Sequence, residues 1–439
     1  MKQETFYIPE EMECYFRDND VLMVSADPPG WAVVDGESAE IVRSLPKERP
    51  LSAQEISEEL KKRQYEEDDI EDFLEFLRRL KSSYVITNNA EAGEETNRPL
   101  QVGGVFIETT SQCNLRCRHC YLSAADSKEN ELTTEEIISI VHQLEPPAPV
   151  ALSGGEPLMR KDMIHLLQQF AQEGYRCSLL TNATLVTPSV AAEIKKAKRT
   201  TVQVSLESFD KDIHESIRGK DTFEQTMEGL RNLINAGCRL RLSFTPTKFN
   251  IDTFEDYVTQ ARALGIRAVH VCTYTPQGRG NQNQDSLRLE EKQLFDFQIL
   301  LKKLTKKIQI LGDLPSMLDI KRVGYRWDSC PLAGSIHITS DGTIYPCEIC
   351  CDEYFTVGNI RDMSLQEALQ SPMICKMHQN SRERINIIPE CRKCIWRHMC
   401  GGGCMVLSYL DTKDVNQIDY YCNLRKYWFE KLLWDSRSN

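Results

Sequence analysis

From residue 102 to about 310, short apolar runs alternate with stretches whose apolar positions recur every three or four residues. The runs "GVFIET" (104–109), "PVALSG" (149–154), "CSLLTN" (177–182), "TVQVSLE" (201–207), "RLRLSFT" (239–245) and "AVHVCTY" (268–274) read as strands. Between them "TTEEIISIVHQL", "KDMIHLLQQFAQEG", "SVAAEIKKAK", "TFEQTMEGLRNLINAG" and "FEDYVTQARALG" read as helices, the first opened by Thr133 and Glu136 at capping-box spacing. Repeated strand–helix units predict a parallel sheet, and six of them predict a partial (β/α)6 barrel. In such barrels chemistry gathers at the C-terminal ends of the strands.

The two flanks follow other rules. In residues 1–90, "ECYFRDNDVLMVSA" (13–26) predicts two short strands about a polar turn, and "GWAVVDG" (30–36) a third. Ser52 and Glu55 cap a helix, and Ile70, Phe73, Leu74, Leu77 and Leu80 form the apolar stripe of another. The outline is a winged-helix-like α+β domain. Polar residues 91–101 predict a linker, and 311–329 a bridge. From 330 to 439 apolar periodicity weakens while cysteine, glycine and turn signals take over, with a hairpin expected about "SDG" (340–342). The fold class is therefore α/β, carried between two smaller domains.

Charge narrows the function. The net charge is −12, and residues 1–100 carry 24 acidic against 12 basic side chains, while the remaining 339 carry 41 of each. Nucleic acid is thus not the expected partner, because neutralising phosphates needs a basic surface. The acidic N-terminal region is either a solvated face or a docking module for a peptide with basic residues. No apolar run reaches the roughly 18 residues of a membrane span, and "MKQETFYIPE" lacks a secretory h-region. The expected location is the cytoplasm, with no membrane partner. Seventeen cysteines, ten of them between Cys330 and Cys422, then point to metal rather than disulfides.

Cys113, Cys117 and Cys120 stand at C-x3-C-x2-C spacing in "CNLRCRHCY". Structural zinc would need a fourth ligand, and His119 adjoins Cys120 too closely for easy tetrahedral geometry. A [4Fe–4S] cluster held by three thiolates leaves one iron open for a cofactor. The spacing, with Tyr121 after the last cysteine, resembles the radical S-adenosylmethionine (SAM) family. So do "SGGEPL" (153–158), with Gly154, Gly155 and Glu156 after the second strand, "QVSLES" (203–208) with Ser205, and "HESIRG" (214–219) with Arg218. The resemblance spans residues 102–310. It implies that the glycines admit the cofactor closely, Glu156 accepts from the SAM ammonium, Ser205 meets its methionine moiety and Arg218 pairs with its carboxylate. Asn182 is a candidate for the ribose region.

Behind the barrel, Cys330, Gly342 and Cys347 give C-x11-G-x4-C. Cys391, Cys394, Cys400 and Cys404 give C-x2-C-x5-C-x3-C, and Cys422 closes the series. This resembles the seven-cysteine SPASM domain. The resemblance implies two auxiliary [4Fe–4S] clusters, three in all: Cys391, Cys394, Cys400 and Cys422 would hold the outer one, and Cys330, Cys347 and Cys404 the inner. A further cysteine expected before Cys330 is missing, leaving Cys351 in "CEICC" as candidate or an open iron. Cys14, Cys177, Cys238, Cys272 and Cys375 fit no ligand pattern and are expected as apolar fillers.

With these domains behind it, the N-terminal unit resembles the PqqD-like leader-recognition element of ribosomal-peptide maturases, which binds by strand addition. The whole is similar to streptide-type enzymes that join lysine to tryptophan. It implies an oxidoreductase that removes hydrogen through a 5′-deoxyadenosyl radical, acting on a leader-bearing precursor peptide with an external electron donor such as flavodoxin or ferredoxin. Asp319 and Asp328 are candidates for a catalytic base. Sactionine (Cys thioether) formation is the alternative chemistry and sulfatase maturation a more distant one. An iron–sulfur electron-transfer or regulatory protein is the non-enzymatic alternative.

Overall fold

A computed structural model describes residues 4–87, 100–312 and 334–435, apart from 27–28, 48, 84 and 127. Two compact units emerge. One joins residues 4–87 with 380–435, the other 100–312 with 334–379. The stretch expected as one C-terminal domain is thus shared between them.

In the first unit, β1 (Thr5–Phe6) pairs with β5 (Leu51–Ser52), and β2 (Met12–Arg17), β3 (Asp20–Ser25) and β4 (Gly30–Asp35) form an antiparallel sheet in that order. Helix α1 (Gly36–Ser44), which the sequence reading missed, follows β4 directly, its first turn capped by Asp35. Helices α2 (Ala53–Lys62), with the predicted Ser52–Glu55 capping box, and α3 (Glu67–Ser82) complete the module. Strand alternation gives the sheet two apolar faces. Val21, Met23 and Val34 point to a core with Ile56, Phe73 and Leu77 of the helices. Leu22 and Val24 point the other way, onto Ile395, Trp396, Phe429 and Leu433, with Tyr15 and Trp31 at the margin. The Tyr15 and Trp396 rings stack at 5.9 Å. The N-terminal sheet and the end of the chain therefore share one core.

In the second unit, β6 (Val105–Glu108), β7 (Pro149–Ser153), β8 (Arg176–Thr181), β9 (Thr201–Ser205), β10 (Arg239–Phe244), β11 (Ala268–Val271) and β12 (Gln309–Leu311) pair in parallel, each with the next in sequence. An unbroken order with no reversal point is the winding of a barrel, not of a doubly wound sheet. There is one strand more than predicted, because β12 is too short to show a period. Helices α4 (Thr134–Val141), α5 (Met163–Gln172), α6 (Pro188–Lys196), α7 (Lys211–Arg218), α8 (Phe223–Asn235) and α9 (Phe254–Ala263) form the crossovers. α4 carries the expected capping box, and α7 was not foreseen. At the other edge, β13 (Ile336–Ile338) joins β6 in parallel and turns through the predicted hairpin into β14 (Thr343–Tyr345), followed by β15 (Gly358–Asn359). Among the described residues, no helix is long and apolar enough to cross a membrane.

Packing between β10 and its helices is dominated by rings. Phe244, fully buried, lies 4.7 Å from Phe254, 5.0 Å from Tyr257 and 6.3 Å from Phe297 between centroids. Phe244→Ala should cost about 3–5 kcal/mol through lost transfer energy and the cavity left behind, visible as a lowered unfolding midpoint in denaturant titration.

Candidate cofactor site at the strand ends

A cavity of about 240 Å³ opens at the C-terminal ends of the parallel strands. Ser153, Thr181 and Ser205, the last residues of β7, β8 and β9, line it, with Thr245 and Cys272 just past β10 and β11. Cys113, Cys117 and Cys120 share this wall with Tyr121, Gly154, Gly155, Asn182 and Arg218. Nine of the sequence-predicted residues therefore meet in one place.

The cysteine loop is held by backbone. Thr109 N–H donates to Ser153 O, Gly155 N–H to Thr110 O and Glu156 N–H to Gln112 O, at 2.8–2.9 Å. A Cβ on Gly154 would fall 2.3 Å from Thr110 O, and one on Gly155 would fall 2.1 Å from Gln112 O. The missing side chains thus admit the facing backbone, and both glycines also line the cavity. Gly154 also has φ +127°, where side chains are strained.

Glu156 is fully buried and is not among the cavity-lining residues. Its carboxylate accepts from Leu158 N–H, the Thr181 hydroxyl (2.7 Å) and Asn182 N–H (2.8 Å), so it fastens the end of β8. Burial nonetheless raises its carboxyl above the ordinary range. Asn182 in turn donates to Asn114 in the cysteine loop at 2.9 Å.

Arg218 is paired within the protein. Its Nε and Nη2 donate to Glu207 Oε1 at 3.0 and 2.7 Å, and its Nη1 lies 3.8 Å from Cys117 Sγ. Glu207, fully buried, also accepts from Thr245 N–H at 3.0 Å and faces His119 Nε2 at 3.4 Å. Burial alone would raise Glu207, but Arg218 foremost, with His119 and the Thr245 amide, holds its carboxyl below the usual range. Burial pushes His119 down to about 4, against the pull of Glu207. Burial also lifts the Cys117 thiol to about 11 and raises that of Cys113. Thiols so placed stay protonated unless a metal draws the proton off.

Sequence reading missed several participants. Glu207 lies two residues past Ser205, but its partners come from elsewhere in the chain. Arg279 donates to Cys117 O at 2.8 Å and Ala124 O at 3.0 Å, bracing the cysteine loop from 162 residues away. No local motif marks either residue. Cys272, expected as a filler, lines the cavity with Sγ 3.2 Å from the Ser243 hydroxyl, because it follows the inward end of β11. Cys375, expected buried, is exposed on its helix. His270 lines the cavity with its Nδ1 unpartnered among the described residues, and burial pushes it down to about 4.

In the first unit, Cys391, Cys394, Cys400 and Cys422 line one small pocket with Trp396, Arg425 and Phe429. Burial pushes Cys391 up to about 12 and Cys422 to about 11. Arg384, fully buried, donates to Gly402 O at 2.8 Å and Gly403 O at 2.7 Å, fixing the three-glycine turn after Cys400. Cys404 sits beside this turn, its N–H donating to Asp419 Oδ2 at 2.6 Å. Cys347 and Cys351 belong to the second unit. Cys330, Asp319 and Asp328 lie outside the described residues.

Residues 107–261 match the profile of the radical SAM superfamily, and residues 330–395 that of the SPASM iron–sulfur cluster-binding domain. The chain carries a radical SAM domain and a SPASM domain. An AdoMet-dependent heme synthase of Methanosarcina barkeri is 26% identical over 72% of this chain and 95% of its own length. The mycofactocin maturase MftC of Mycolicibacterium smegmatis is 27% identical over 72% and 81%. Among solved structures, anSMEcpe with bound AdoMet and a Cp18Cys peptide covers 76% of this chain and 99% of its own, at TM-score 0.61 and 21% identity. Streptococcus suis SuiB bound to the precursor peptide SuiA covers 95% and 99%, at TM-score 0.60 and 15% identity. These likenesses establish the fold. The cofactors of the two domains are SAM and [4Fe–4S] clusters, the auxiliary ones in the SPASM domain.

The donors present fit that chemistry. Among the described residues, the one set of three Cys, His, Asp or Glu donors whose ligand atoms all lie within 4.8 Å of one another is Glu108, His337 and Cys351. The thiols of Cys113, Cys117 and Cys120 are spread wider. A single zinc ion, with bonds of about 2.3 Å to sulfur, gathers its ligands more tightly; a cluster of several irons does not.

Two substitutions probe this framework. Glu207→Ala, which leaves Arg218 buried without its carboxylate, should destabilise the protein by about 3–5 kcal/mol. Removing Glu255, paired at the surface with Lys303 and Lys307, should leave the unfolding midpoint essentially where it is, because water screens such pairs; denaturant midpoints measure both. Gly155→Ala must displace the backbone at Gln112, and iron analysis after anaerobic reconstitution should show the loss of one cluster's worth of iron and sulfide per chain.

Proposed function

We propose that this chain is a radical SAM maturase of a ribosomally synthesised peptide, forming an intramolecular crosslink between lysine and tryptophan carbons in a leader-bearing precursor. The observation that carries the enzymatic reading is the single cavity at the strand ends, where three widely spaced thiols meet Gly154, Gly155, Asn182, Ser205 and Arg218. A redox or regulatory protein has no use for that second set. The peptide reading draws on the SuiB fold over nearly the whole chain, on the mycofactocin maturase relative and on the N-terminal module.

Bound at the cavity, SAM and a reduced [4Fe–4S] cluster would supply radical chemistry able to take hydrogen from an unactivated carbon. The protein's part is aim and exclusion of water. Cys113, Cys117 and Cys120 hold the cluster. Tyr121, the two glycines, Asn182, Ser205 and Arg218 bind SAM, and Glu207 positions Arg218. Glu156 acts from behind the wall, fixing the strand end that presents Asn182. His270, kept neutral by burial, and Cys272 face the substrate. Electrons come from a flavodoxin or ferredoxin in the cytoplasm.

The docking surface is the outer edge of β2, which among the described residues pairs only with β3. Phe16 on this strand is 64% exposed, an apolar anchor beside unpaired backbone groups. The acidic excess of the module suits a leader with basic residues.

Reconstituted protein with SAM and dithionite should yield 5′-deoxyadenosine, and a precursor peptide should lose two hydrogen atoms by mass spectrometry, with fragmentation joining lysine to tryptophan. Loss of two hydrogens at a cysteine would instead establish thioether chemistry, and no 5′-deoxyadenosine would end the enzymatic reading. Phe16→Asp should weaken precursor binding about tenfold by fluorescence anisotropy; unchanged affinity would exclude this edge.

A further inference from the structure

One face of the β2–β4 sheet packs on the helices of its own module. The other, where Leu22, Val24 and Ala26 are each at 0% exposure, is sealed by Ile395, Trp396, Phe429 and Leu433. Both covering segments are tied to the outer set of thiols. Ile395 and Trp396 stand between Cys394 and Cys400, and Phe429 and Leu433 lie on the helix Cys422–Asp435, which begins at the fourth thiol. The side chains of Cys394 and Cys400 themselves pack against this core.

β2, the strand of the docking edge, is fastened to the same segments at three points. Glu11, just before it, pairs with the buried Arg397. The Tyr15 ring stacks on Trp396 at 5.9 Å and 25°, and the Arg17 guanidinium lies 6.0 Å from the Trp434 ring centre. Tyr15 and Arg17 alternate with Cys14 and Phe16 along the strand, so one face of β2 is committed to residues 396–434. All three contacts use side chains and none the backbone of the strand.

The loop that supplies this cover has little order of its own. Its helices, Pro389–Arg392 and Arg397–Cys400, are one turn each, and Gly401, Gly402 and Gly403 follow at positive φ. Such short turns do not hold themselves. Cys391, Cys394, Cys400 and Cys422 converge on one pocket with no disulfide among them. Metal binding at such a set is folding free energy for the segments that carry it.

We propose that the outer auxiliary centre completes the peptide-docking sheet. Metal held by Cys391, Cys394, Cys400 and Cys422 fixes the cover over the second face of β2–β4. The docking edge is therefore ordered only in a chain whose outer centre is loaded, and a chain lacking that centre does not engage precursor. The dependence is mutual, since a peptide that binds the ordered edge favours the loaded state by the same factor. This rests on the assignment of the four thiols to one centre and on the reading of β2 as the docking edge, not on the bond formed in the peptide.

The test is hydrogen–deuterium exchange with mass spectrometry on anaerobically reconstituted full-length protein, with iron and sulfide counted per chain. The variant is Cys391→Ser, because Cys391 packs on Ile385 and Ile388 rather than on the sheet. It should lose one cluster's worth of iron and sulfide, and the amides of β2 and β3 should exchange about tenfold faster, while those of β6–β11 exchange as in wild type. With all metal removed, wild type and variant should exchange alike in β2 and β3. Three results would overturn the proposal: unchanged exchange in β2 and β3 after the iron is lost, wild-type iron in Cys391→Ser, or an acceleration spread equally over β6–β11. Should Cys391→Ser fail to fold, wild type is compared before and after reconstitution; β2 and β3 must gain protection with iron, and no gain counts against the coupling. Unchanged precursor affinity in Phe16→Asp would remove the docking edge alone and leave the exchange result to be judged separately.

Discussion

The close approach of two backbones, 109–112 against 153–156, is the constraint on which the catalytic half of the molecule depends. Neither side chain nor cofactor can substitute for it, because the contact is amide to carbonyl and tolerates no Cβ at Gly154 or Gly155. Once these segments are joined, the loop with Cys113, Cys117 and Cys120 has its starting point fixed on the end of β7. Glu156 carries the order across to β8, and Asn182 returns it to the loop through Asn114. Arg279 and Glu207 close the far side. The thiols are thereby placed by a ring of contacts that runs through four strand ends.

That ring also explains what sequence reading could and could not see. The alternation of apolar runs with helical stripes was strong enough to fix six strands and the barrel winding, and the hairpin at residues 340–342 was plain from its turn residues. Cysteine spacing and Gly-Gly-Glu-Pro announced the chemistry because both are local. What escaped was non-local or too short for a period. β12 has three residues, α1 and α7 about two turns each, and Glu207, Arg279 and His337 act through partners far away in sequence. The pairing of Arg218 with Glu207 is a further case: a motif marks the arginine, but only tertiary packing supplies its carboxylate.

Buried charge recurs wherever sulfur gathers. Arg218 stands by Cys117, Arg425 lines the pocket of the four C-terminal thiols, and Arg384 is sealed beneath the glycine turn that separates Cys400 from Cys404. An isolated guanidinium in such places is costly. Each is matched by carboxylate or carbonyl groups, and each puts positive charge where metal-bound thiolates carry negative charge. Burial raises the thiols of Cys113, Cys117, Cys391 and Cys422, so the surrounding cations and a metal act together to make thiolate stable there.

The core shared by the N-terminal sheet and residues 395–433 has a consequence for biosynthesis. Leu22, Val24 and Trp31 leave the ribosome about 400 residues before Phe429 and Leu433, which cover them. At about 5–20 residues per second, one face of the nascent sheet waits roughly 20–80 seconds for its cover. Over that interval it is an exposed apolar surface prone to aggregation, and a chain truncated before Phe429 leaves it bare for good.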